Sequence, residues 1–274
     1  FLTGKPGVLL TVSSLGFLNG LTATANATVN CYPMIQISGS SVREPIDLDQ
    51  GTYEGLDQLA IARPLVKAAY RVNNVEDIPT AVVRAFRAAV SGRPGGVYLD
   101  ITTLCLGQVI DMSRAEELLY TPVDPCPAMP PAPEAIDRAM QLIASAKRPA
   151  FIIGKGAAYA RVEEQMKSLV EKTGIPYLPM SMAKGLLPDN GPLSAISCRS
   201  MVMEQADVVV LVGARLNWLL SRGQGKWSKT VKFVQLDIDP REIDCNRPIA
   251  APVVGDLRSA LDAMLARLDS YKMS

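Results

Sequence analysis

Val208–Val212 reads VVVLV, with Asp207 before it and Gly213 after it. Four of the five residues are β-branched, which costs rotamer freedom in a helix and packs well on a pleated surface. There is no polar alternation, so such a strand must be covered on both faces, the situation of a parallel sheet sandwiched between helices. Comparable runs recur: Val8–Val12, Pro33–Ile37, Val97–Ile101, Ala150–Ile153, Ile175–Leu178 and Val231–Ile238, with a shorter candidate at Lys67–Val72. Helical spacing fills the gaps, as in Phe17–Val29, Val75–Val90, Glu134–Ala146, Ser194–Gln205 and Asp256–Leu268. Strand and helix alternating in this way predict an α/β chain of two open parallel-sheet domains.

The division between them is expected in the stretch containing Pro122, Pro125, Pro127, Pro130, Pro131 and Pro133. Proline supplies no N–H and fixes φ, so residues 120–133 read as an extended linker between domains at 1–119 and 134–274. A chain of 274 residues, 48% apolar, is long enough for two cores. The net charge of +1 gives no basic field for nucleic acid, and no apolar run approaches a membrane span. Histidine is absent, which removes His-based acid–base chemistry and His-ligated metals. Five cysteines without C-x-x-C spacing suit a reducing cytoplasm. Cys31, Cys105 and Cys245 read as inert packing residues. The opening FLTGKPGVLLTVS reads as the end of a helix running into a strand, as in a piece of a longer polypeptide.

Chemistry concentrates at strand ends. In Pro149–Ala160, PAFIIGKGAAYA, a buried strand breaks at Gly154-Lys155-Gly156 and a helix to Lys172 is expected at once, closed by Gly174. Free N–H groups of a first helical turn, its dipole and the Lys155 charge would together hold an anion; the alternative is that the glycines only turn the chain. Arg215 follows strand Val208–Val212, and Asp237 ends Val231–Ile238. Ligands of open α/β sheets lie beyond the carboxyl ends of the strands, where an acid takes ribose hydroxyls. Asp256 stands at another strand end, where helix N-capping is the competing role. The full G-x-G-x-x-G fingerprint is missing, so a mononucleotide such as ADP fits better than NAD. In the polar loop Val42–Asp57, Tyr53-Glu54 offers a phenol and a carboxylate, and by residue type alone is an ordinary surface pair. Arg93, in SGRPGG, reads as a turn residue paired with an acid.

Several stretches together resemble the thiamine-diphosphate-dependent decarboxylases and lyases, and among them the oxalyl-CoA decarboxylase branch: GKPGVLLTVSSLGFLNGLTATANATVNCYPM, DLDQGTYEGLDQ, AAVSGRPGGVYLDI, IIGKGAAYA, IPYLPMSMAKGLLPDN, LVGARLNWLL and RPIAAPVVGDL. The 2-hydroxyacyl-CoA lyases share GKGAAYA and GARLNW and are the neighbouring alternative; a nucleotide-binding regulatory module without chemistry is the non-enzymatic one. The resemblance implies a pyrimidine-binding domain lacking its start and a middle nucleotide-binding domain. The proton-relaying glutamate and the diphosphate and Mg²⁺ domain are expected outside these residues, so the chain alone is expected to be inactive. It implies a homo-oligomer acting on oxalyl-CoA with thiamine diphosphate and Mg²⁺, and ADP as activator. Carried across by position, Tyr53 and Glu54 become the active-site pair, and Ser14, Leu15 and Asn19 line the aminopyrimidine pocket with Tyr53. Arg93, Lys155, Arg215, Asp237, Ile238 and Leu257 match the ADP site, and Ser194, Ala195, Ile196, Ser197 and Cys198, followed by Arg199, the coenzyme A segment. Departures at Ser14-Leu15, Thr52, Gly55, Ile101-Thr102-Thr103 and Gly191 bear on turnover and substrate preference rather than fold.

Overall fold

The computed structural model describes residues 1–51 and 54–271. The chain divides into two compact units, one ending at Pro127 and the other beginning at Ala128.

The first unit runs β1 (Gly7–Thr11), α1 (Leu15–Val29), β2 (Met34–Ser40), α2 (Arg43–Asp47), α3 (Gln58–Ala62), β3 (Ala68–Val72), α4 (Ile78–Val90), β4 (Gly96–Thr102), α5 (Thr103–Leu106) and α6 (Met112–Leu118). Its sheet is all parallel, in the order β1-β2-β4-β3. The side chains of Ile35, Val97 and Leu99 pack with Ala85 and Ala89 of α4 on one face. Residues two apart share a face of a strand, so Gln36, Ser38 and Ser40 of β2 lie on the other face, beside Tyr98, Asp100 and Thr102 of β4. Ser38 is in register with Asp100 and Ser40 with Thr102. That face is polar yet buried, under α1 and α3.

The expectation that Val8–Val12 is covered on both faces is corrected. β1 is an edge strand, with Val8 57% and Leu10 76% exposed. A continuous apolar run identifies a strand but carries no information about what lies against it. The loop expected over Val42–Asp57 also contains the short helix α2.

The second unit runs α7 (Pro133–Ala144), β5 (Pro149–Ile153), α8 (Lys155–Ala160), α9 (Glu163–Thr173), β6 (Tyr177–Pro179), α10 (Arg199–Gln205), β7 (Val208–Val212), β8 (Lys232–Asp237), β9 (Ala251–Val254) and α11 (Leu257–Leu265). All strands are parallel, in the order β6-β5-β7-β8-β9. Every residue of β7 is buried, as its composition requires. One sheet face packs against α7, α9 and α11 through Ile136, Met140, Met166, Leu169 and Leu261. The other packs Phe233 and Trp227, rings 5.2 Å apart, with Leu216 and Leu220.

The single helix expected from Lys155 to Lys172 is two helices. Arg161 takes a left-handed conformation (φ 52°) and ends α8, which brings Val162 wholly into the core. Arg258 donates to the terminal carbonyls of Ala160 and Arg161, placing a cation at the helix C-terminus. The proline-rich stretch is tied down at both ends. Asp124 and Pro125 accept from Arg87 and Ser91 of the first unit. In the second unit the Met129 carbonyl accepts the Asp256 N–H at 2.7 Å.

Candidate functional site

In the second unit the connections leave β5 in one direction, to β6, and continue on its other side, at β7. The crevice between β5 and β7 is therefore a topological switch point, where open α/β sheets bind ligands. The loops Gly154–Gly156 and Gly213–Arg215 meet there. Gly213 lies at φ 56°, and a Cβ on it would stand 2.6 Å from the Ala157 nitrogen and 2.8 Å from Gly156 Cα. A Cβ on Gly154 would collide with the Gly213 carbonyl and Ala214. Only glycine allows two backbones this close. Lys155 and Arg215, the neighbours of these glycines, are thereby carried to one crevice, each half-buried.

The backbone does not supply the expected row of free donors. The Gly154 N–H donates to Val212 O, the Gly156 N–H to Gly213 O at 2.9 Å, and the Ala157 N–H to Gly154 O. With these amides bonded within the protein and α8 only six residues long, the charges at this crevice are those of the Lys155 and Arg215 side chains. Asp237 ends β8, buried at 9% exposure, and one carboxylate oxygen accepts the Asp239 N–H at 3.0 Å. Ile238 is 39% exposed, whereas Leu257 is 7% exposed and belongs to the core under α11. Asp256 takes the capping role: its Oδ1 accepts from the Ser259 N–H at 2.8 Å and from the Ser259 hydroxyl at 2.7 Å. Arg215 also borders a cavity of about 220 Å³, with Leu216, Asn217, Gln235, Glu242, Asn246 and Ile249 in its walls. Gln235 is 1% exposed, and neither of its amide atoms has a hydrogen-bond partner among the described residues. Its position in an apolar-looking strand gave no signal of this.

The segment Ser194–Cys198 runs beside the start of β6, where Ser194 bridges to Tyr177. The Ser194 hydroxyl donates to Asp189 O at 2.7 Å, Ala195 is buried, and Ser197 and Cys198 are exposed. The helix expected from Ser194 starts later, as a 3₁₀ turn over Ile196–Cys198 that leads into α10. Arg199 donates to the Leu219 carbonyl.

In the first unit, Arg93 lies in the turn between α4 and β4, half-buried. Ser14 stands between β1 and α1 with φ 53° and ψ −104°. Leu15 and Asn19 follow on α1, one turn apart and both exposed, so they share a face. Tyr53 lies outside the described residues. Glu54 is half-buried, and its carbonyl accepts from the Ser41 hydroxyl at 3.2 Å. The motif that carries this pair ends in Asp57-Gln58, which the sequence reading passed over. Asp57 caps α3, receiving the Ala60 N–H, and pairs with Arg43 at 2.6 Å and Arg71 at 3.3 Å. Arg71 in turn reaches Asp100 at 2.7 Å. Partial burial would raise the Asp57 pKa, but the Arg43 bond, the Ala60 N–H and the two guanidinium charges outweigh it and hold the carboxyl below its usual value. Burial, with the Asp100 charge, pushes the Tyr98 phenol well up, so it stays neutral.

Comparison with known proteins gives one consistent answer for both units. Residues 1–61 match the description "Thiamine pyrophosphate enzyme, N-terminal TPP binding domain", and residues 136–264 match "Thiamine pyrophosphate enzyme, central domain". The chain belongs to the thiamine pyrophosphate enzymes. Among curated proteins of this family it is similar to oxalyl-CoA decarboxylase of Escherichia coli K12, 55% identical over 98% of this chain and 48% of that protein. It is 44% identical to 2-hydroxyacyl-CoA lyase of Arabidopsis thaliana over 95% of this chain and 46% of that protein. With acetolactate synthase of Arthrospira platensis the identity is 32%, over 97% and 47%. The chain thus spans about half the length of the curated relatives it matches.

The first unit suits the ring end of a thiamine pyrophosphate enzyme's cofactor. Leu15, 73% exposed, and Asn19 present an apolar side chain and an amide on the same face of α1. Ser40 Oγ and Asp100 Oδ1 are buried on the polar face of the sheet, without hydrogen-bond partners among the described residues. Among the described residues no three His, Cys, Asp or Glu side chains gather as a metal site. No helix among them is long and apolar enough to cross a membrane. All five cysteines are free. Cys105 is buried as a packing residue would be, whereas Cys31 is half-buried and Cys245 is exposed, which corrects the reading of Cys245 as a packing residue.

Proposed function

We propose that this chain forms the pyrimidine-binding and central domains of an oxalyl-CoA decarboxylase, which converts oxalyl-CoA and a proton to formyl-CoA and CO₂. The observation that carries it is the 55% identity to the curated decarboxylase across 98% of the chain. When bound, thiamine diphosphate supplies a nucleophilic carbon and an electron sink. Ser14, Leu15 and Asn19 would seat its pyrimidine ring, with Tyr53 beside it. Glu54 would deliver the proton that replaces the departing carboxylate on the acyl carbon, and Tyr53 would hydrogen-bond the acyl oxygen. Mg²⁺ and the diphosphate would be held by residues outside this chain, in a cytoplasmic homo-oligomer.

In the second unit, Lys155 and Arg215 would hold the diphosphate of ADP, Asp237 its ribose and Ile238 the adenine. Leu257 would shape the floor from within the core. Ser194, Ala195, Ile196, Ser197 and Cys198 would accept part of coenzyme A, with Arg199 following. The crevice between the Gly154–Gly156 and Gly213–Arg215 loops supports the nucleotide part. The 44% identity to a 2-hydroxyacyl-CoA lyase favours, second, C–C cleavage of a 2-hydroxyacyl-CoA.

The full-length protein that contains these residues, supplied with thiamine diphosphate and Mg²⁺, is expected to release CO₂ from oxalyl-CoA in preference to an aldehyde from a 2-hydroxyacyl-CoA, whereas this chain alone should release none; the reverse preference selects the lyase. Calorimetry with ADP should show about tenfold or greater weakening for Arg215→Ala, the scale of one charge-assisted hydrogen bond. Unchanged affinity would remove Arg215 from the site.

A further inference from the structure

Gln58 is wholly buried, and its amide touches three segments distant in sequence. Its Oε1 accepts the Ser14 N–H at 2.5 Å, across 44 residues. The two protons of its Nε2 are shared among three oxygens within hydrogen-bond distance, the Tyr98 hydroxyl at 2.8 Å, the Gly39 carbonyl at 2.9 Å and the Ser38 hydroxyl at 3.2 Å. Ser38 and Tyr98 close the group with a 2.6 Å bond. The ends of β1 and β2 and the interior of β4 are thus braced from one side chain.

What is braced is a strained turn. Ser14 is not glycine, yet it lies at φ 53° and ψ −104°, a conformation that costs about 1–3 kcal/mol and persists only where the surroundings over-determine it. The Gln58 carbonyl is one such constraint, pulling the Ser14 N–H inward and leaving Leu15 turned out to solvent. Asp57, one residue earlier, fastens the same helix start to Arg43 and Arg71. A residue serving only to fill the core would need no polar atoms here. A buried amide bonded through both its oxygen and its nitrogen favours one geometry.

We infer that Gln58 is a positioning residue: through the Ser14 N–H it sets the β1–α1 turn that presents Leu15 and Asn19 to the cofactor ring, and ties it to the helix following Glu54. This rests on the proposed role of that turn in holding the cofactor.

The test uses the full-length protein that contains this chain and compares the parent with Gln58→Met, which keeps the length and removes the amide, and Tyr98→Phe, which removes one anchor of Nε2. Amide hydrogen exchange should quicken about tenfold at Ser14 in Gln58→Met, the scale of one buried hydrogen bond, while β7 and β8 stay unchanged. The thiamine diphosphate concentration for half-maximal activity should rise about tenfold, with the KM for oxalyl-CoA unchanged, because coenzyme A contacts lie elsewhere. Tyr98→Phe should move both readouts the same way by a smaller factor, and it carries the test if Gln58→Met does not fold. Unchanged cofactor dependence in a folded variant with a freed Ser14 amide overturns the inference. So does a general loss of protection across the first unit, with kcat, KM and cofactor affinity failing together in both variants, which is a structural role. A parent that neither binds thiamine diphosphate nor turns over oxalyl-CoA defeats the proposed function itself and this inference with it; an active parent with indifferent variants removes Gln58 alone.

Discussion

Replacing Gly213 by alanine tests the contact that builds the second unit's crevice. Two costs are expected. The first is conformational: at φ 56° a side chain meets its own backbone, worth roughly 1–2 kcal/mol. The second is steric, because the new Cβ would lie 2.6 Å from the Ala157 nitrogen and 2.8 Å from Gly156 Cα, atoms of the backbone that cannot rotate away. Overpacking of this kind costs about 1–3 kcal/mol. Gly174 separates the two. It lies at φ 68° as the cap of α9, and a Cβ there would meet nothing within 4 Å, so Gly174→Ala carries only the conformational cost. At about 3 °C per kcal/mol for a unit of this size, Gly174→Ala should lower Tm by about 4 °C and Gly213→Ala by about 10 °C. The chain has two tryptophans, Trp218 and Trp227, both in the second unit. Trp227 is 4% exposed, so its fluorescence reports the melting of that unit without mixing in the first. Equal Tm losses in the two variants would mean that the loops do not touch, and the account of why glycine stands at these positions would be wrong.

Two further outcomes follow from the same geometry. Asp256→Ala should destabilise the second unit by about 1 kcal/mol, the usual cost of losing an N-cap, and Asp256→Asn by much less; thermal melts of both decide it, and equal losses would refute the capping assignment. Asp57 has a folded pKa below its unfolded value of about 3.9, so its contribution is fully present above that value and is lost as pH falls through the lowered one. The Tm difference between the parent and Asp57→Asn should therefore be constant above about pH 5 and vanish in more acid solution, and a difference independent of pH would show that the charge is not what matters.

The sequence by itself determined the local features, because local patterns carry them. Val208–Val212 could be little other than a doubly covered strand, and it is buried at every position. Gly174 ends a helix because its φ is positive, and Asp256 precedes one because its carboxylate reaches the next turn. The resemblance carried by the GKGAAYA, GARLNW and QGTYEGLDQ stretches pointed to the family that the comparison of both units bears out. The tertiary structure decided everything that depends on a distant partner. The strand order set the Gly154 loop against Gly213, and that contact took up the amides that the turn alone had seemed to offer an anion. Val8–Val12 looked like Val208–Val212 in composition, but it lies at a sheet edge, and periodicity does not encode what packs outside it. Gln36, Ser38 and Tyr98 read as incidental residues within strands, and Gln58 as the end of a motif. The fold placed them on one buried face, where an unpaired polar group is costly. A hydrogen bond between residues 44 apart, such as Ser14 to Gln58, leaves no trace in either residue's neighbours along the chain.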